Sequence, residues 1–479
     1  MLYQWLETQR TLMRSLDAWA TLAAAPWGGL PAAADNRAGA PYDGDARLAS
    51  VALPGCDWLY RLLQTTPEPP PFGIESARIA GHVVPVSETV VDRAPFCALR
   101  EFVRVFDGPA AGREGQADAN EKAATDAADQ DLAASASPEG QALAPACVLL
   151  VTPLAGHHAV MLRETVETLL EDADVYVTDW ANARDVPLDA GRFGLNDYVL
   201  TVERFLRSLA GRGVHVLAVC QAAPPALAAS ALAAASDVKL APLSVALMGG
   251  PVDTRLHPTM IDRLAATHDI EWFRRTVIDT VPARYPGAGR RIYPGYVQHA
   301  AIVAAHPHRQ VALESRYWAS RMSGNAQAVA ASLRSLNEYS AVLDMDEDYF
   351  LDTLRVVFQE QRLARGNWSI GTRRVIPETL TATALCTVEG DRDDITGAGQ
   401  THAAHALCRA VPDAMRMQMT VDDCDHYDLF TGPRWHEVVH PALLGFWRAN
   451  ARTPDTAQCD VKLRKRTLPA RPAGPPRAP

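Results

Sequence analysis

The stretch VHVLAVCQAAPPALAASALAAAS, residues 214–236, decides how this chain is read. Its first third is an apolar, valine-rich run of the kind that forms a buried strand. The remainder is alanine-rich and places Pro224 and Pro225 where the first turn of a helix tolerates proline, because the N–H groups there have no partner inside the helix. Cys220 stands at the junction. Residues Ala218 to Ala222, A-V-C-Q-A, keep the spacing of the G-x-S-x-G nucleophile elbow with Cys for Ser and Ala for Gly. A buried cysteine packed as a small hydrophobe produces the same local pattern, so the two meanings are separated only by the rest of the chain.

Outward from this junction, short β-rich runs alternate with helical stretches. The runs are 147–153, 174–180, 214–220, 243–250, 382–390 and 415–421; helices are expected over 159–172, 195–210 and 222–235. That rhythm predicts an α/β fold with a mostly parallel, doubly wound sheet, whose ligands lie at the carboxyl ends of the strands. Residues 255–368 break the rhythm with helical and aromatic sequence between two expected strands and are read as an inserted helical cap, leaving 1–254 and 369–451 as the core. Residues 107–146 carry almost no large apolar side chain and read as a disordered loop. Residues 452–479, ending RKRTLPARPAGPPRAP, read as a flexible basic tail. The first helix, with Leu2, Leu6, Met13, Leu16 and Ala20 near one face, reads as docked on the domain.

Composition excludes several classes. The chain has 479 residues, 48% of them hydrophobic, and a net charge of −10, so no global basic field invites nucleic acid. Its eight cysteines include no C-x-x-C pair, which argues against a zinc ribbon or a disulfide framework and fits reduced thiols in a cytosol. The N-terminus carries Glu7, Arg10, Arg14 and Asp17 where a secretory signal needs an apolar core. Residues 216–236 hold no charge, but Gln221, two prolines, two serines and many alanines make a poor membrane span.

If Cys220 is a nucleophile at an elbow, an acid should follow a later strand and a histidine should follow that. Asp391, Asp393 and Asp394 lie after 382–390, and His426 lies after 415–421. The helix dipole, the backbone N–H groups of the turn and a neighbouring imidazole would favour a thiolate at Cys220. His426 would act as base and then acid, with an aspartate fixing its tautomer. The oxyanion would be held by the N–H of Gln221 and one from the loop 152–158, with Leu154 and Ala155 as candidates. The segment WHEVVHP offers His436, Glu437 and His440 in the H-E-x-x-H spacing, but Pro441 is expected to disfavour helical backbone at His440. The acidic turn 391–394 lacks a calcium loop's glutamate, since that position is His402. Neither a metal nor a cofactor is expected.

Longer motifs carry a resemblance. The opening MLYQ…W, the loop TPLAGHHAVMLRETVETLL, AVCQ, IEWFRRTVIDTVP…YPGAGRRIYPG, FLDTLRVVFQEQRLARG, TVEGDRDDITGAGQT and DHYDLFTGPRW are similar to those of intracellular polyhydroxybutyrate depolymerases. The resemblance covers most of the chain outside 107–146 and the tail. It implies an α/β-hydrolase fold, a Cys, Asp, His triad and hydrolysis of the storage polyester in amorphous cytoplasmic granules. It points to Cys220, Asp393 and His426, selecting Asp393 through the G-x-x-D match from Gly390. The aromatics Trp272, Phe273, Tyr293 and Tyr296 become candidates for admitting the polymer. Two alternatives stay in view: a polyhydroxyalkanoate synthase, whose elbow is closer to G-x-C-x-G-G, and a granule-surface binding protein without turnover.

Overall fold

A computed structural model describes residues 68–106, 147–305 and 307–451. The expectations for the N-terminal helix, for 107–146 and for the tail lie outside those residues. The main sheet comprises β1 (Ser76–Ile79), β2 (His82–Ala94), β3 (Cys97–Arg104), β4 (Cys147–Val151), β5 (Asp174–Trp180), β6 (Val214–Val219), β7 (Ser244–Met248), β8 (Ala384–Gly390) and β9 (Arg416–Val421). In space the order is β1-β2-β3-β5-β4-β6-β7-β8-β9. β4 to β9 pair in parallel, with Leu149 opposite both Tyr176 and Val216, and Val388 opposite both Met248 and Met419. β1 to β3 form an antiparallel edge joined to β5.

Each central strand is buried on both faces and divides its residues by the period-2 rule between two cores. Leu149, Val151, Val216, Ala218, Val245 and Leu247 face one core. Val148, Leu150, Leu217, Val219, Ala246 and Met248 face the other. The first core is covered by α1 (Leu195–Ser208) and α2 (Ala223–Ser236). α2 is buried along nearly its whole length, and its alanines leave no bulk to hold it away from the sheet. The second core is covered by helix Arg163–Leu169 and by α3 (His440–Ala449) through Val166, Leu169, Leu443, Phe446 and Trp447. Among the described residues no helix is long and apolar enough to cross a membrane.

Between β7 and β8 the chain builds the insertion from short helices and a three-stranded patch, Asp279–Thr280, Arg291–Tyr293 and Met345–Asp346. Buried Arg290 clamps it to the core. Its guanidinium donates to the carbonyls of Val186 at 3.2 Å, Pro187 at 2.7 Å and Gly191 at 2.7 Å, and to Asp346 at 2.8 Å. The insertion also pairs with the loop after β4: His158 N–H donates to the Ala341 carbonyl at 3.0 Å, and Leu343 N–H to that of Gly156 at 3.2 Å.

One local expectation is overturned. His440 is helical, with φ −60° and ψ −46°, despite Pro441. The preceding turn, Trp435–Val439, is a wider π-type turn, which accommodates the proline ring and its missing N–H without ending the helix. The two histidines of WHEVVHP are nonetheless engaged separately: His436 Nε2 meets Glu164 at 2.8 Å and His440 Nε2 meets Asp172 at 3.4 Å.

Candidate active site

Three strand ends bring three side chains together. β6 stops at Val219, and Cys220 turns into the first, 3₁₀-type turn of the following helix with φ +55°. A non-glycine residue in the left-handed region is strained, and such strain persists only where its surroundings enforce it. The turn lifts the thiol clear of the sheet edge. Of the described cysteines Cys220 alone is only part-buried; Cys97, Cys147, Cys386, Cys408 and Cys424 are buried.

Asp393 lies in the turn after β8. Its Oδ1 accepts from the N–H groups of Ile395 at 2.9 Å and Thr396 at 2.8 Å, which leaves Oδ2 to accept from His426 Nδ1 at 2.8 Å. Both side chains are almost wholly buried, 4% and 2% exposed, so this contact is not diluted by water. The Cys220 sulfur is near enough to the same imidazole to favour its charged form. Burial alone would hold His426 neutral, but the Asp393 carboxylate and the Cys220 sulfur outweigh it and lift its pKa well above the ordinary histidine value. The neighbouring acids are employed elsewhere. Asp391 accepts from Cys424 N–H at 3.0 Å, and Asp394 lines an adjacent cavity of about 280 Å³.

Several parts of this frame escaped the sequence reading. Tyr427 and Phe430 present their rings edge-on to His426, with centroids 5.7 and 5.8 Å away; their positions one and four residues after the histidine are the only signal. Gly249 and Gly250 were read as the end of a strand: Gly249 sits at φ +55° with a Cβ position 3.2 Å from the His426 ring, and Gly250 is required by close approach, since a Cβ there would stand 2.2 Å from Ala223 Cβ. Tyr349, on the insertion's helix Glu347–Thr353, is buried against the elbow and donates to Gln221 Oε1 at 3.3 Å.

The proposed oxyanion residues fall at the elbow and in the loop facing it. Gln221 follows Cys220 in the turn, while Leu154 is buried and Ala155 part-buried in the loop after β4. Among the described residues neither Leu154 N–H nor Ala155 N–H donates to another backbone group. The four insertion aromatics are used differently from one another. Phe273 is buried, Tyr293 stacks on Phe350 at 4.1 Å, and Tyr296 packs on the small cluster of Ala183, Val281 and Ile292. Trp272 stacks on His268 at 3.8 Å and stays 39% exposed.

The strand order, with the nucleophile position after β6, the acid after β8 and the histidine after β9, defines an α/β-hydrolase with a cysteine at the elbow. Residues 249–451, the segment that carries the insertion, Asp393 and His426, match the family described as PHB de-polymerase C-terminus, and the chain is a carboxylic ester hydrolase. No curated protein matches the chain. Among solved structures it is similar to a monoacylglycerol lipase from Paleococcus ferrophilus, at 11% identity over 64% of this chain and 95% of that one, with a TM-score of 0.37. A thioesterase domain from the curacin biosynthetic pathway is 9% identical over 76% and 99%, with a TM-score of 0.36. A thermophilic esterase from Thermogutta terrifontis is 14% identical over 63% and 90%, with a TM-score of 0.35. The fold assignment rests on strand order and not on these likenesses.

Proposed function

We propose that the protein hydrolyses the ester bonds of polyhydroxybutyrate in amorphous intracellular granules, releasing 3-hydroxybutyrate and short oligomers, with Cys220, His426 and Asp393 as its triad. The supporting observation is the buried His426–Asp393 hydrogen bond beside a cysteine held in left-handed backbone at a strand–helix turn. His426 takes the thiol proton as Cys220 Sγ attacks the ester carbonyl carbon and a C–S bond forms; the C–O bond to the leaving alcohol breaks as His426 gives that proton to its oxygen. Water then adds to the thioester, passing a proton to His426, and the C–S bond breaks as sulfur recovers it. Asp393 holds the imidazole's tautomer and balances its charge. The N–H of Gln221 and one from Leu154 or Ala155 receive the oxyanion. Exposed Trp272 meets the polymer, while Phe273, Tyr293 and Tyr296 shape the insertion behind it.

The test is incubation of the purified protein with amorphous polymer. Soluble 3-hydroxybutyrate is expected from the wild type and none from Cys220→Ala. Polymer growth from 3-hydroxybutyryl-coenzyme A would replace this reading with a synthase, and granule binding without soluble product would replace it with a binding protein.

A further inference from the structure

Helix Met260–Thr267 of the insertion is built inside out. It turns Asp262 and Ala265 inward and exposes Met260, Ile261 and Leu264, the first by 80% and the last by 54%. A surface helix ordinarily buries its apolar stripe and gives its charges to water. Here polar bonds hold the reversed face in place. Asp262 Oδ2 accepts from Thr259 N–H at 2.7 Å and from Gln400 Nε2 at 2.8 Å, and Gln359 Nε2 donates to the carbonyls of Ala265 at 2.8 Å and His268 at 2.9 Å. Met260, Ile261 and Leu264 share one side of the helix. Leu256, also exposed, precedes them, and one turn beyond them Trp272 of helix Ile270–Thr276 lies stacked on His268.

This face stands on the turn that carries the acid of the site. Just beyond Asp393, the Ile395 carbonyl accepts from Thr259 Oγ1 at 3.3 Å and the Ala398 carbonyl from His257 Nδ1 at 2.8 Å, while Gln400 Nε2 donates to the Leu256 carbonyl at 3.0 Å. The cavity beside His426 reaches the surface at Arg392 and Asp394 of the same turn, so the apolar face flanks its mouth. Inward from the face, Trp272 packs on Phe273 at 5.0 Å and Phe273 on Phe350 at 6.2 Å. Phe350 shares its helix with Tyr349, which reaches Gln221 at the elbow. A rigid apolar face of this kind marks a contact surface, and its chemistry and place select the partner. From 256 to 268 the sole exposed charge is Arg263, a donor suited to ester carbonyls, so the partner is uncharged. The flexible thioether of Met260 adapts to an irregular apolar surface. A second copy or a covering segment seated here would stand at the mouth of the site, where an insoluble substrate has to arrive.

We infer that Leu256, Met260, Ile261, Leu264 and Trp272 form the face by which the protein adsorbs to the uncharged surface of the solid polyester, bringing the mouth of the active site against it. This rests on the hydrolase reading above and adds to it the place where the solid touches the enzyme. Adsorption through this face raises the concentration of polymer segments at the site without taking part in the chemistry.

The experiment compares the triple variant Met260→Gln, Ile261→Gln, Leu264→Gln with an apolar control, Met260→Leu, Ile261→Leu, Leu264→Met. For each protein, hydrolysis of bare amorphous polymer particles at low load is divided by hydrolysis of dissolved 3-hydroxybutyrate trimer methyl ester. The triple variant is expected to lower this ratio about tenfold or more, and the apolar control to keep it. The folded Cys220→Ala protein should sediment with the polymer, and should stay in solution when the three glutamine substitutions are added. A ratio and a sedimentation untouched by them overturn the face. A changed oligomeric state in light scattering with the ratio intact would assign it to a second copy, and a lowered melting temperature with the ratio intact to a segment of this chain. Partition of Cys220→Ala onto phosphatidylcholine vesicles but not onto polymer would assign it to a lipid surface; each of these overturns the proposal. Failure to hydrolyse either substrate overturns the hydrolase reading instead, and sedimentation of Cys220→Ala with polymer still decides the face.

Discussion

The hydroxyl of Tyr349, carried by the insertion, donates at 3.3 Å to the side chain of Gln221, the residue that follows Cys220. The insertion therefore reaches the elbow itself, and Tyr349 also stacks on Phe193 and Tyr198 of the core at 6.1 and 5.7 Å. Removing the hydroxyl alone should loosen Gln221 without opening a cavity. Tyr349→Phe is expected to melt within a few degrees of wild type and to lower kcat several-fold with little change in KM. Tyr349→Ala removes a fully buried ring and should cost about 3–5 kcal/mol in denaturant unfolding. Equal kcat in Tyr349→Phe and wild type would remove Tyr349 from the positioning of the elbow.

Cys220 tests strain and reactivity together. Alanine at φ +55° inherits the unfavourable backbone, whereas glycine adopts it freely. Both Cys220→Ala and Cys220→Gly should abolish turnover, but the glycine variant should be the more stable by up to about 1 kcal/mol. In the wild type, iodoacetamide should label Cys220 ahead of the buried cysteines. Burial raises the thiols of Cys147, Cys408 and Cys424 to about 12, so they present little thiolate. Peptide mapping after partial inactivation checks the order, and labelling of Cys424 first would contradict the assignment.

How far these features were legible before the structure follows from what each depends on. β4 to β8 were readable because strands buried on both faces are largely apolar runs, β9 through the alternation of Met417, Met419 and Val421, and the order of Cys220, Asp393 and His426 is a property of the chain itself. β1 to β3 were not read. β2 is largely exposed, its valines come in pairs such as Val83–Val84 and Val90–Val91, and a register shift between Val90 and Asp92 breaks any alternation. Tyr349 reaches Gln221, and His157 reaches Tyr339 and Tyr427, only through tertiary packing of segments far apart in the chain, for which no local pattern exists. Pro441 misled because a π-type turn absorbed it.

Asp393 and His426 yield a prediction in pH. The folded pKa of His426 is raised although burial opposes it, with Asp393 the main cause of the rise and Cys220 the next. A histidine raised in the native state contributes stability that is complete below its unfolded value of about 6.5 and is lost as pH rises through the folded value. Asp393→Asn removes the larger opposing charge and leaves the burial, so the His426 titration, followed by NMR of its Cε1 proton, should move to lower pH and this stability should disappear. Turnover should fall by several orders of magnitude, as when an imidazole is left in the wrong tautomer. Asp394→Asn should leave the titration where it was; a shift as large as that of Asp393→Asn would reassign the acid.

The Arg290–Asp346 pair should govern both stability and the geometry of the loop after β4. The two side chains are 3% and 5% exposed, and Arg290 also holds three core carbonyls. Arg290→Met leaves Asp346 as a buried carboxylate without its cation, a change expected to cost about 3–5 kcal/mol. Adding Asp346→Asn removes that charge while keeping an oxygen for the Asp348 N–H, which Asp346 now caps at 3.0 Å. The double variant should therefore recover part of the loss in denaturant unfolding. Activity should recover less, because the Arg290 bonds to the carbonyls of Val186, Pro187 and Gly191 are still missing. Those bonds anchor the insertion whose residues 341–343 pair with Gly156 and His158, beside the proposed oxyanion N–H groups of Leu154 and Ala155. Measured side by side, stability that rises in the double variant while kcat stays low separates the electrostatic part of the clamp from its positioning part. A double variant no more stable than Arg290→Met would mean that the unpaired carboxylate was never the source of the cost.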